Sequence, residues 1–547
     1  MRRVRSTTSI SVRTSIILVL CTLATLTLRG GEPQAAEPPA GKLGLAARNR
    51  VEAAKGSGTY RWAYTKLEWD PRKTAVIVCD MWDEHWCKGA TRRVAEMAPR
   101  MNEAISRARE KGVLLVHAPS ETMDHYKDHP ARLRAQKAPR ASTLPDGIGG
   151  GCGKIPSEER GKWPIDQSDG GCDCEPQCKV ASPWRSQIAT IEIRDDDFIS
   201  DSGVEIWNVL AERGVDNVIL MGVHTNMCVI GRPFGLRNMV RFGKNVALMR
   251  DLTDTMYNSR KWPGVNHFTG TDFIAQHIEK FVCPTIASSD FTGKEPFRFS
   301  EDKRPRVVLL SAENEYGAAD AFPELARYFQ LKCGLAAEVL QGSTGASGPE
   351  IHRIPCMQAL DGADLAVLYA RRRAIPAADM KRFRDYLARG KPLIAFRTSS
   401  HAFSVGGGIP QGCEEWKEFD REVLGCSYRG HASGETRVTL IPEASDHPIL
   451  KGLGGPYQVK ETLYSSLPLA PTCRALLLGK TVEGVSAELK DSGQPVAWTN
   501  TYKGARIFYT SLGSAESSFR EKWFNRMVVN AVFWALDRPV PEGAVDA

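Results

Sequence analysis

Short apolar segments alternate with amphipathic ones along this 547-residue chain, and the alternation limits the folds that the chain can adopt. Residues 73–80 read KTAVIVCD, residues 94–111 have the spacing of an amphipathic helix, and residues 112–117 read GVLLVH. A strand, a helix and a second buried strand at this spacing predict a parallel sheet with helices on its faces. The pattern returns between residues 206 and 250, so the predicted fold class is α/β.

The chain is too long for one hydrophobic core, and its composition changes near the middle. A polar, charged stretch around residues 295–305 (PFRFSEDKRPR) is followed by a new strand, VVLLS, at 307–311. We predict two doubly wound, three-layer α/β domains, at residues 66–303 and 304–547. Residues 37–65 are predicted to be a linker.

The first 36 residues have the features of a signal peptide. A basic head is followed by the apolar segment IILVLCTLATLTL and then by small residues. An uncleaved membrane anchor is the alternative. We expect export to the periplasm or the medium, with no membrane span after processing.

Composition narrows the function classes. The chain is 42% hydrophobic and 25% charged, which excludes a disordered chain and a polytopic membrane protein. No stripe of Lys and Arg interleaved with aromatic residues is present, so a nucleic-acid partner is not expected.

A Gly-, Asp- and Pro-rich insertion at about 138–185 interrupts the alternation and holds Cys152, Cys172, Cys174 and Cys178. In an exported protein, four such cysteines favour two disulfides, whose pairing the sequence leaves open. A metal site is the alternative, but Cys-x-Cys-x-x-x-Cys lacks the paired Cys-x-x-Cys spacing of structural zinc sites.

Three histidines and an aspartate elsewhere are candidate metal ligands: His85, Asp124, His125 and His129. Hydrogen-bonded or solvated side chains are the favoured interpretation of these residues. The sequence therefore predicts neither a metal site nor a cofactor.

Three reactive side chains follow predicted strands. Asp80, His117 and Cys228 each lie at the carboxyl end of a strand, where ligands gather in such folds. A cysteine at a strand-to-helix turn lies near free N–H groups, which lower a thiol pKa. A nucleophilic Cys228 with Asp80 as its base is one reading, and a small buried core cysteine is the other.

Two motifs resemble the isochorismatase-like cysteine hydrolase superfamily over about residues 70–290. They are VIVCDMWDEHW at 76–86 and VILMGVHTNMCV at 218–229. The resemblance implies that Cys228 attacks substrate to form a covalent intermediate and that Asp80 is the general base. It also implies an oxyanion hole formed by the backbone N–H groups of Cys228 and His224, with a cis peptide bond between Val223 and His224.

The third catalytic residue of that family is a lysine, and here the chain departs from the pattern. Counting back from Phe198 in IEIRDDDF places Glu192 in the lysine position, with Arg194 the nearest cation. Either Arg194 reaches the site, the alignment is shifted by inserted residues, or the chemistry differs. Substrate contacts are predicted at His224, Thr225, Trp82 and His117.

The second domain resembles the ThuA-like family, of the trehalose-utilisation type, which has a class I glutamine-amidotransferase-like fold. The matching segments are SDHPILKGL at 445–453, QPVAW at 494–498 and GARIFYTSLG at 504–513. Arg397 stands where an amidotransferase has its cysteine, which argues against glutaminase chemistry. The polar cluster that follows is expected to bind carbohydrate or to be an ordinary turn, and it comprises Arg397, Ser399, Ser400 and His401.

These features lead to one functional hypothesis and one alternative. We predict an exported cysteine hydrolase that cleaves a C–N bond, of amide, carbamoyl or amidine type, in a small-molecule substrate. The alternative is an inactive hydrolase-fold protein that binds carbohydrate or a cell-surface ligand. The sequence does not identify the substrate, and it leaves homo-oligomer formation open.

Overall fold

Two large β-sheets carry the fold in the computed structural model, which describes residues 41–343, 348–482 and 493–542. The predicted signal peptide at 1–36 lies outside these residues. Within the described ranges, no helix has both the length and the apolar character that a membrane crossing requires. Both sheets carry helices, which confirms the predicted α/β class.

The first sheet is built from the first eight strands of the described chain. They are β1 (Leu43–Glu52), β2 (Tyr60–Trp69), β3 (Thr74–Cys79), β4 (Leu114–Ala118), β5 (Phe198–Ile199), β6 (Asn217–Val223), β7 (Asn245–Asp254) and β8 (Thr285–Ile286). Their order across the sheet is β2-β1-β8-β7-β6-β3-β4-β5. Strands β3 to β8 run parallel, and β1 and β2 form an antiparallel hairpin at one edge.

The first five helices of this half connect its parallel strands, and the sixth follows the last strand. They are α1 (Lys88–Glu110), α2 (Pro130–Lys137), α3 (Gly203–Glu212), α4 (Leu236–Arg241), α5 (His267–Phe281) and α6 (Ser289–Thr292). Residues of β3 alternate between two cores: Ala75 and Ile77 belong to one, and Val76 and Val78 to the other. Apolar side chains therefore cover both faces of the sheet, as its uninterrupted apolar strands require.

Strands β3 and β6 lie side by side at the centre of the sheet, in a register that pairs Cys79 with Gly222. A Cβ at Gly222, where φ is +113°, would lie 2.0 Å from the carbonyl oxygen of Cys79. Only glycine allows the strands to approach this closely. The residues that follow the two strands, Asp80 and His224, therefore leave the sheet beside each other.

The segment predicted as a linker, residues 37–65, is instead largely structured. It holds β1 and most of β2, so the linker prediction was wrong from Leu43 onward. Trp62 of β2 is buried in the core of the second half, beneath the guanidinium of Arg50 at 3.7 Å. Arg61 forms a two-pronged ion pair with Asp320 of the second half, at 2.6 and 2.7 Å. The hairpin therefore packs against both halves of the protein.

The second half contains the remaining strands and helices. The strands are β9 (Arg306–Ala312), β10 (Ala336–Gln341), β11 (Leu365–Ala370), β12 (Ile375–Pro376), β13 (Leu393–Phe396), β14 (Cys413–Glu414), β15 (His431–Ala432), β16 (Thr436–Leu440), β17 (Tyr457–Val459), β18 (Leu463–Tyr464), β19 (Arg474–Thr481), β20 (Gln494–Tyr502) and β21 (Ala505–Thr510). The helices are α7 (Ala318–Lys332), α8 (Ala377–Ala388) and α9 (Lys522–Ala535).

The second sheet has nine strands in the order β10-β9-β11-β13-β21-β20-β19-β16-β17. Its first five strands are parallel and its last four are antiparallel. Val307 and Leu309 of β9 face one core, and Val308 and Leu310 face the other, so this sheet is also covered on both faces. Short strands pair outside it, β12 with β14 and β15 with β18.

Candidate active site

The ends of strands β3 and β6 bring an acid and a thiol together. Asp80 directly follows β3, is fully buried and adopts a left-handed backbone conformation with φ of +48°. Cys228 lies in a single π-helical turn, Thr225–Val229, that follows β6. The thiol of Cys228 is hydrogen-bonded to the Asp80 carboxyl. The meeting of these two side chains at the carboxyl edge of one sheet is the arrangement that the sequence predicts.

Both oxygens of the Asp80 carboxyl are held by donors. The backbone N–H of Ser120 donates to Oδ1 at 2.8 Å, and Arg232 Nε donates to Oδ2 at 3.1 Å. Burial raises the pKa of Asp80, and the positive charge of Arg232 opposes that rise. Arg232 therefore favours the ionised carboxylate, the form in which Asp80 can accept a proton.

Arg232 is the functional residue that the sequence analysis missed. It lies four residues after Cys228, and its backbone N–H donates to the Cys228 carbonyl at 2.9 Å. One turn of chain thus places a cation beside the thiol. Its guanidinium also lies 3.5 Å from Glu121 Oε1 at the protein surface. The signal available in the sequence was the Cys228–Arg232 spacing, which is that of one helical turn.

The pKa of the Cys228 thiol is raised above its ordinary value, which favours the protonated form at neutral pH. Burial raises the pKa of Cys228, Asp80 raises it further, and Arg232 lowers it. The expectation of a lowered thiol pKa was therefore wrong, because burial and the neighbouring carboxylate outweigh the cation and the N–H groups at the turn. A proton must leave the sulfur before it can attack, and Asp80 is in contact with it.

The histidines near the thiol do not supply positive charge at neutral pH. Burial lowers the pKa of His85 to about 4 and holds that of His224 well below its ordinary value. Their rings meet edge to face, with centroids 4.8 Å apart. Among the residues that the structure describes, none forms a hydrogen bond with His224 Nε2. The charge that acts on Cys228 and Asp80 thus comes from Arg232.

The backbone around His224 has the geometry that the family resemblance implies. The Val223–His224 peptide bond is cis, as expected. The His224 N–H donates to the Cys228 sulfur.

Three of the predicted substrate contacts are instead engaged in the protein interior. The Thr225 hydroxyl lies 2.6 Å from Thr253 Oγ1 and donates to the Asp254 carbonyl. The fully buried His117 ring contacts Gln187 Oε1 at 3.1 Å and Asp197 Oδ2 at 3.2 Å.

Trp82 is buried too. Its ring stacks on Trp184 with centroids 4.5 Å apart, and its Nε1 donates to the Ser120 carbonyl at 3.0 Å. Ser120 is the residue whose N–H binds Asp80. Trp82 therefore supports the loop that holds the acid, and it does not line the cleft.

Glu192 and Arg194 are not part of the site, so this part of the sequence prediction was wrong. They pair with each other at 3.2 Å, and each side chain is about half exposed. The backbone of Arg194 instead donates to Asp197, which also binds Arg109. The counting from Phe198 failed because β5, which begins at Phe198, lies at the sheet edge, with β4 and β3 between it and β6.

A cleft of about 590 Å³ opens over the Cys228 thiol. Its lining comprises Gly151, Cys152, Met227, Cys228, Gly231, Arg232, Pro233 and Arg237. Arg237 is paired with the buried Glu158, at 2.7 Å to each carboxylate oxygen. Glu158 therefore neutralises the charge of Arg237. Arg232 is the other cationic side chain of the lining, and it faces the thiol.

The Cys-rich insertion is arranged differently from the prediction. Cys152 lines the cleft, and its N–H donates to the Gly231 carbonyl at 2.9 Å. Cys172, Cys174 and Cys178 pack elsewhere, with Cys87. Throughout the described ranges the cysteines are free thiols, so the structure does not contain the two predicted disulfides.

The predicted polar cluster of the second half surrounds Arg397, which follows β13 with a left-handed φ of +41°. Its buried guanidinium donates to Glu461 at 3.0 Å and to Thr462 at 2.8 Å, and it lies 4.1 Å from the Tyr316 ring centre. Tyr316 also lines a cavity of about 870 Å³ at the end of β9. The turn keeps the backbone of a nucleophile elbow but presents an ion-paired arginine.

Ser399 and Ser400 of this cluster are buried as well, and His401 is half-buried. Ser399 donates to the Leu368 carbonyl at 3.0 Å, and the Ser400 hydroxyl lies 3.2 Å from His401 Nδ1. Burial, helped by nearby arginines, lowers the pKa of His401 to about 3. The Ser399 hydroxyl stabilises the turn, and His401 is neutral at physiological pH.

Comparison with known proteins gives one family match and several structural similarities. Residues 355–535 match the family model ThuA, described as trehalose utilisation, which confirms the predicted ThuA-like domain for these residues. No curated protein sequence matches the chain at a significant level.

Several solved structures are similar to one half each. A ThuA-like protein from Parabacteroides merdae is 17% identical, with 45% of this chain and 94% of that chain covered and a TM-score of 0.33. A cysteine hydrolase from Pseudomonas syringae is 18% identical over 41% and 94% of the two chains, with a TM-score of 0.26. An isochorismatase family protein from Burkholderia thailandensis is 14% identical over 41% and 95%, with a TM-score of 0.24.

Proposed function

We propose that this protein is a cysteine hydrolase that cleaves a C–N bond in a small, planar substrate. The observation that carries the proposal is the hydrogen-bonded set of Cys228, Asp80 and Arg232 beneath an open cleft. A thiol, an acid in contact with it and a cation that keeps the acid ionised are the groups that nucleophilic catalysis by cysteine requires. Export, expected from the N-terminal sequence, is part of the proposal.

In the first half-reaction, Asp80 takes the thiol proton as the Cys228 sulfur attacks the carbonyl or amidine carbon. The negative charge that develops on the attacked oxygen or nitrogen is stabilised by the backbone N–H groups of Cys228 and His224. The C–N bond then breaks, and the leaving nitrogen takes the proton from Asp80. The product of this step is an amine and a thioester, or a thioimidate, on Cys228.

In the second half-reaction, water attacks the covalent intermediate. Asp80 accepts one proton from the water, the carbon–sulfur bond breaks, and the proton returns to the sulfur. Arg232 binds the Asp80 carboxylate throughout and favours its ionised form, so we assign it the position that a lysine holds in the resembled family. The carbohydrate expected in the second half remains a prediction, and the cavity beside Tyr316 is where we place it.

The proposal is tested by ammonia or amine release from a panel of small amides, carbamoyl compounds and amidines. Replacing Arg232 with Gln is expected to lower kcat/KM about 10²-fold, because the charge that stabilises the Asp80 carboxylate is lost. The acid limb of the pH–rate profile should also move to higher pH, since without the arginine the pKa of Asp80 rises. Arg232→Lys should restore part of both effects.

Arg194→Gln is the matched control, because this arginine is paired with Glu192 at the surface. It should leave kcat/KM and the pH profile unchanged. Turnover of no compound in the panel, or an Arg232→Gln protein with an unchanged acid limb, would count against the proposal and favour a binding protein that keeps the hydrolase fold.

A further inference from the structure

Three cysteine sulfurs converge at a place separate from the Cys228 thiol. Cys87 immediately precedes α1, and Cys172 and Cys174 belong to the insertion. Their sulfur atoms all lie within 4.8 Å of one another, and those of Cys87 and Cys174 are 3.9 Å apart. Cys87 and Cys172 are buried and Cys174 is half-buried. The fold thus joins residues that are more than eighty positions apart in the sequence.

The spacing of these sulfurs fits a shared metal ion. With zinc–sulfur bonds of about 2.3 Å, two ligands of a tetrahedral site lie about 3.8 Å apart. A disulfide requires about 2.0 Å. The 3.9 Å between Cys87 and Cys174 matches the edge of such a tetrahedron.

A fourth thiol stands next to this group. The half-buried Cys178 side chain packs against the same cluster and has an electrostatic interaction with Cys174. Structural zinc sites have four protein ligands, most often cysteines and histidines. Cys178 can therefore complete the coordination, and the insertion would supply three of the four ligands.

The surroundings of the sulfurs suit thiolates. The Gly89 N–H donates to the Cys174 sulfur at 3.3 Å. The first turn of the 23-residue helix α1 lies beside Cys87, and a helix N-terminus favours negative charge.

Gly89 also shows how tightly the backbone encloses the group. A Cβ at this position would lie 3.0 Å from Asp173 Oδ1 and 3.4 Å from the Cys174 sulfur. A larger residue would therefore displace the insertion from the start of α1. The absence of a side chain allows the Gly89 N–H to approach the sulfur directly.

We propose that Cys87, Cys172, Cys174 and Cys178 bind one zinc ion. With all four positions filled by thiolates, the ion has no open site for a substrate, so its role is structural. It would fasten the insertion to the start of α1. The neighbouring segment contributes to the surroundings of the active site, because the Cys87 N–H donates to His85 Nδ1 at 3.1 Å and Met227, which lines the cleft, packs against the same cluster.

The test uses the full chain purified after growth with added zinc. Elemental analysis is expected to give about one zinc per chain, and the Cys172→Ser and Cys174→Ser variants should each lose most of it. Cys333→Ser is the matched control, since this half-buried thiol lies in the second half, outside the cluster, and should retain the full zinc content.

Two further measurements do not depend on the folding of the variants. Cobalt(II) exchanged into the unaltered chain should give thiolate charge-transfer absorption and the visible bands of a tetrahedral site. A strong chelator should lower the midpoint of thermal unfolding by at least about 5 °C, because the ion binds the folded state. Both effects should be absent or much smaller in the Cys174→Ser protein.

Three results would overturn the proposal. One is a purified chain without zinc whose cysteines are all titratable thiols. Another is an intact mass and peptide map that show a disulfide among Cys87, Cys172, Cys174 and Cys178. The third is a Cys178→Ser protein that holds zinc as tightly as the unaltered chain, which would refute the four-thiolate site.

Discussion

Replacing Cys228 with alanine is expected to lower kcat/KM for any hydrolysed substrate by at least about 10⁴-fold, because the covalent route is then closed. The side chain is small, and the cleft lies beside it, so the fold should be retained. The decrease in kcat/KM should come from kcat, because the substrate keeps its contacts with the cleft. Steady-state product release, with circular dichroism as a check on folding, measures the effect.

The same experiment has a chemical counterpart. A substrate that is slowly deacylated should leave a covalent adduct on the peptide that contains Cys228, detected by mass spectrometry after a rapid quench. The control is Cys333→Ala, which removes a thiol far from the cleft and should keep full activity and the adduct. Appreciable turnover by the Cys228→Ala protein would exclude this cysteine as the nucleophile.

Replacing Asp80 with Asn is expected to change hydrolysis and thiol alkylation in opposite directions. Hydrolysis should fall by about 10³- to 10⁴-fold, because the group that takes the thiol proton is lost. Asp80 raises the pKa of Cys228 by its charge and by accepting the thiol hydrogen bond. Its removal should therefore increase the thiolate fraction and the rate of alkylation by iodoacetamide at neutral pH.

The pH dependence gives a second readout of the same residue. Asp80 must be ionised to act as a base, and burial raises its pKa above the ordinary aspartate value. Activity of the unaltered protein should accordingly fall as the pH drops through that raised pKa, and this acid limb should be missing from the residual activity of Asp80→Asn. An unchanged alkylation rate in the variant would show that Asp80 does not act on the thiol.

The strands and the principal pair of the site follow from the sequence for a simple reason. Asp80 and Cys228 each end an apolar run, and in a parallel sheet the carboxyl ends of neighbouring strands meet at one edge. The remaining requirement is that β3 and β6 lie side by side, and the structure shows that they do. Long-range placement was thus predictable where it depended on buried strands.

The cation of the site was harder to predict. Arg232 reaches Asp80 because the chain makes a π-helical turn and then leaves helical geometry, which composition does not reveal. The assignment of Glu192 to the lysine position, with Arg194 as the nearest cation, depends on counting residues back from Phe198. Such a count is valid only if no residues are inserted relative to the resembled family. The error arose because the count starts from Phe198, and Phe198 lies in a strand of only two residues, β5, at the edge of the sheet.

The arrangement of the cysteines differs from the prediction for a related reason. The mutual spacing of Cys172, Cys174 and Cys178 does not predict a metal site, whereas the structure packs them with Cys87, which precedes Cys172 by more than eighty residues. The four cysteines come together only in the folded chain, where the insertion packs against the start of α1. Sequence spacing predicts a metal site when the ligands lie in one or two short motifs. It does not predict the site when one ligand comes from a distant part of the sequence.

The hairpin of β1 and β2 restricts how the protein can be divided. A fragment that begins at residue 304 would lack Trp62, leaving a hole in its core and an unpaired Asp320. A fragment that ends at residue 303 would present the same tryptophan to water. Truncation of the gene or limited proteolysis that separates the two halves would therefore leave one of them without the hairpin that packs against it.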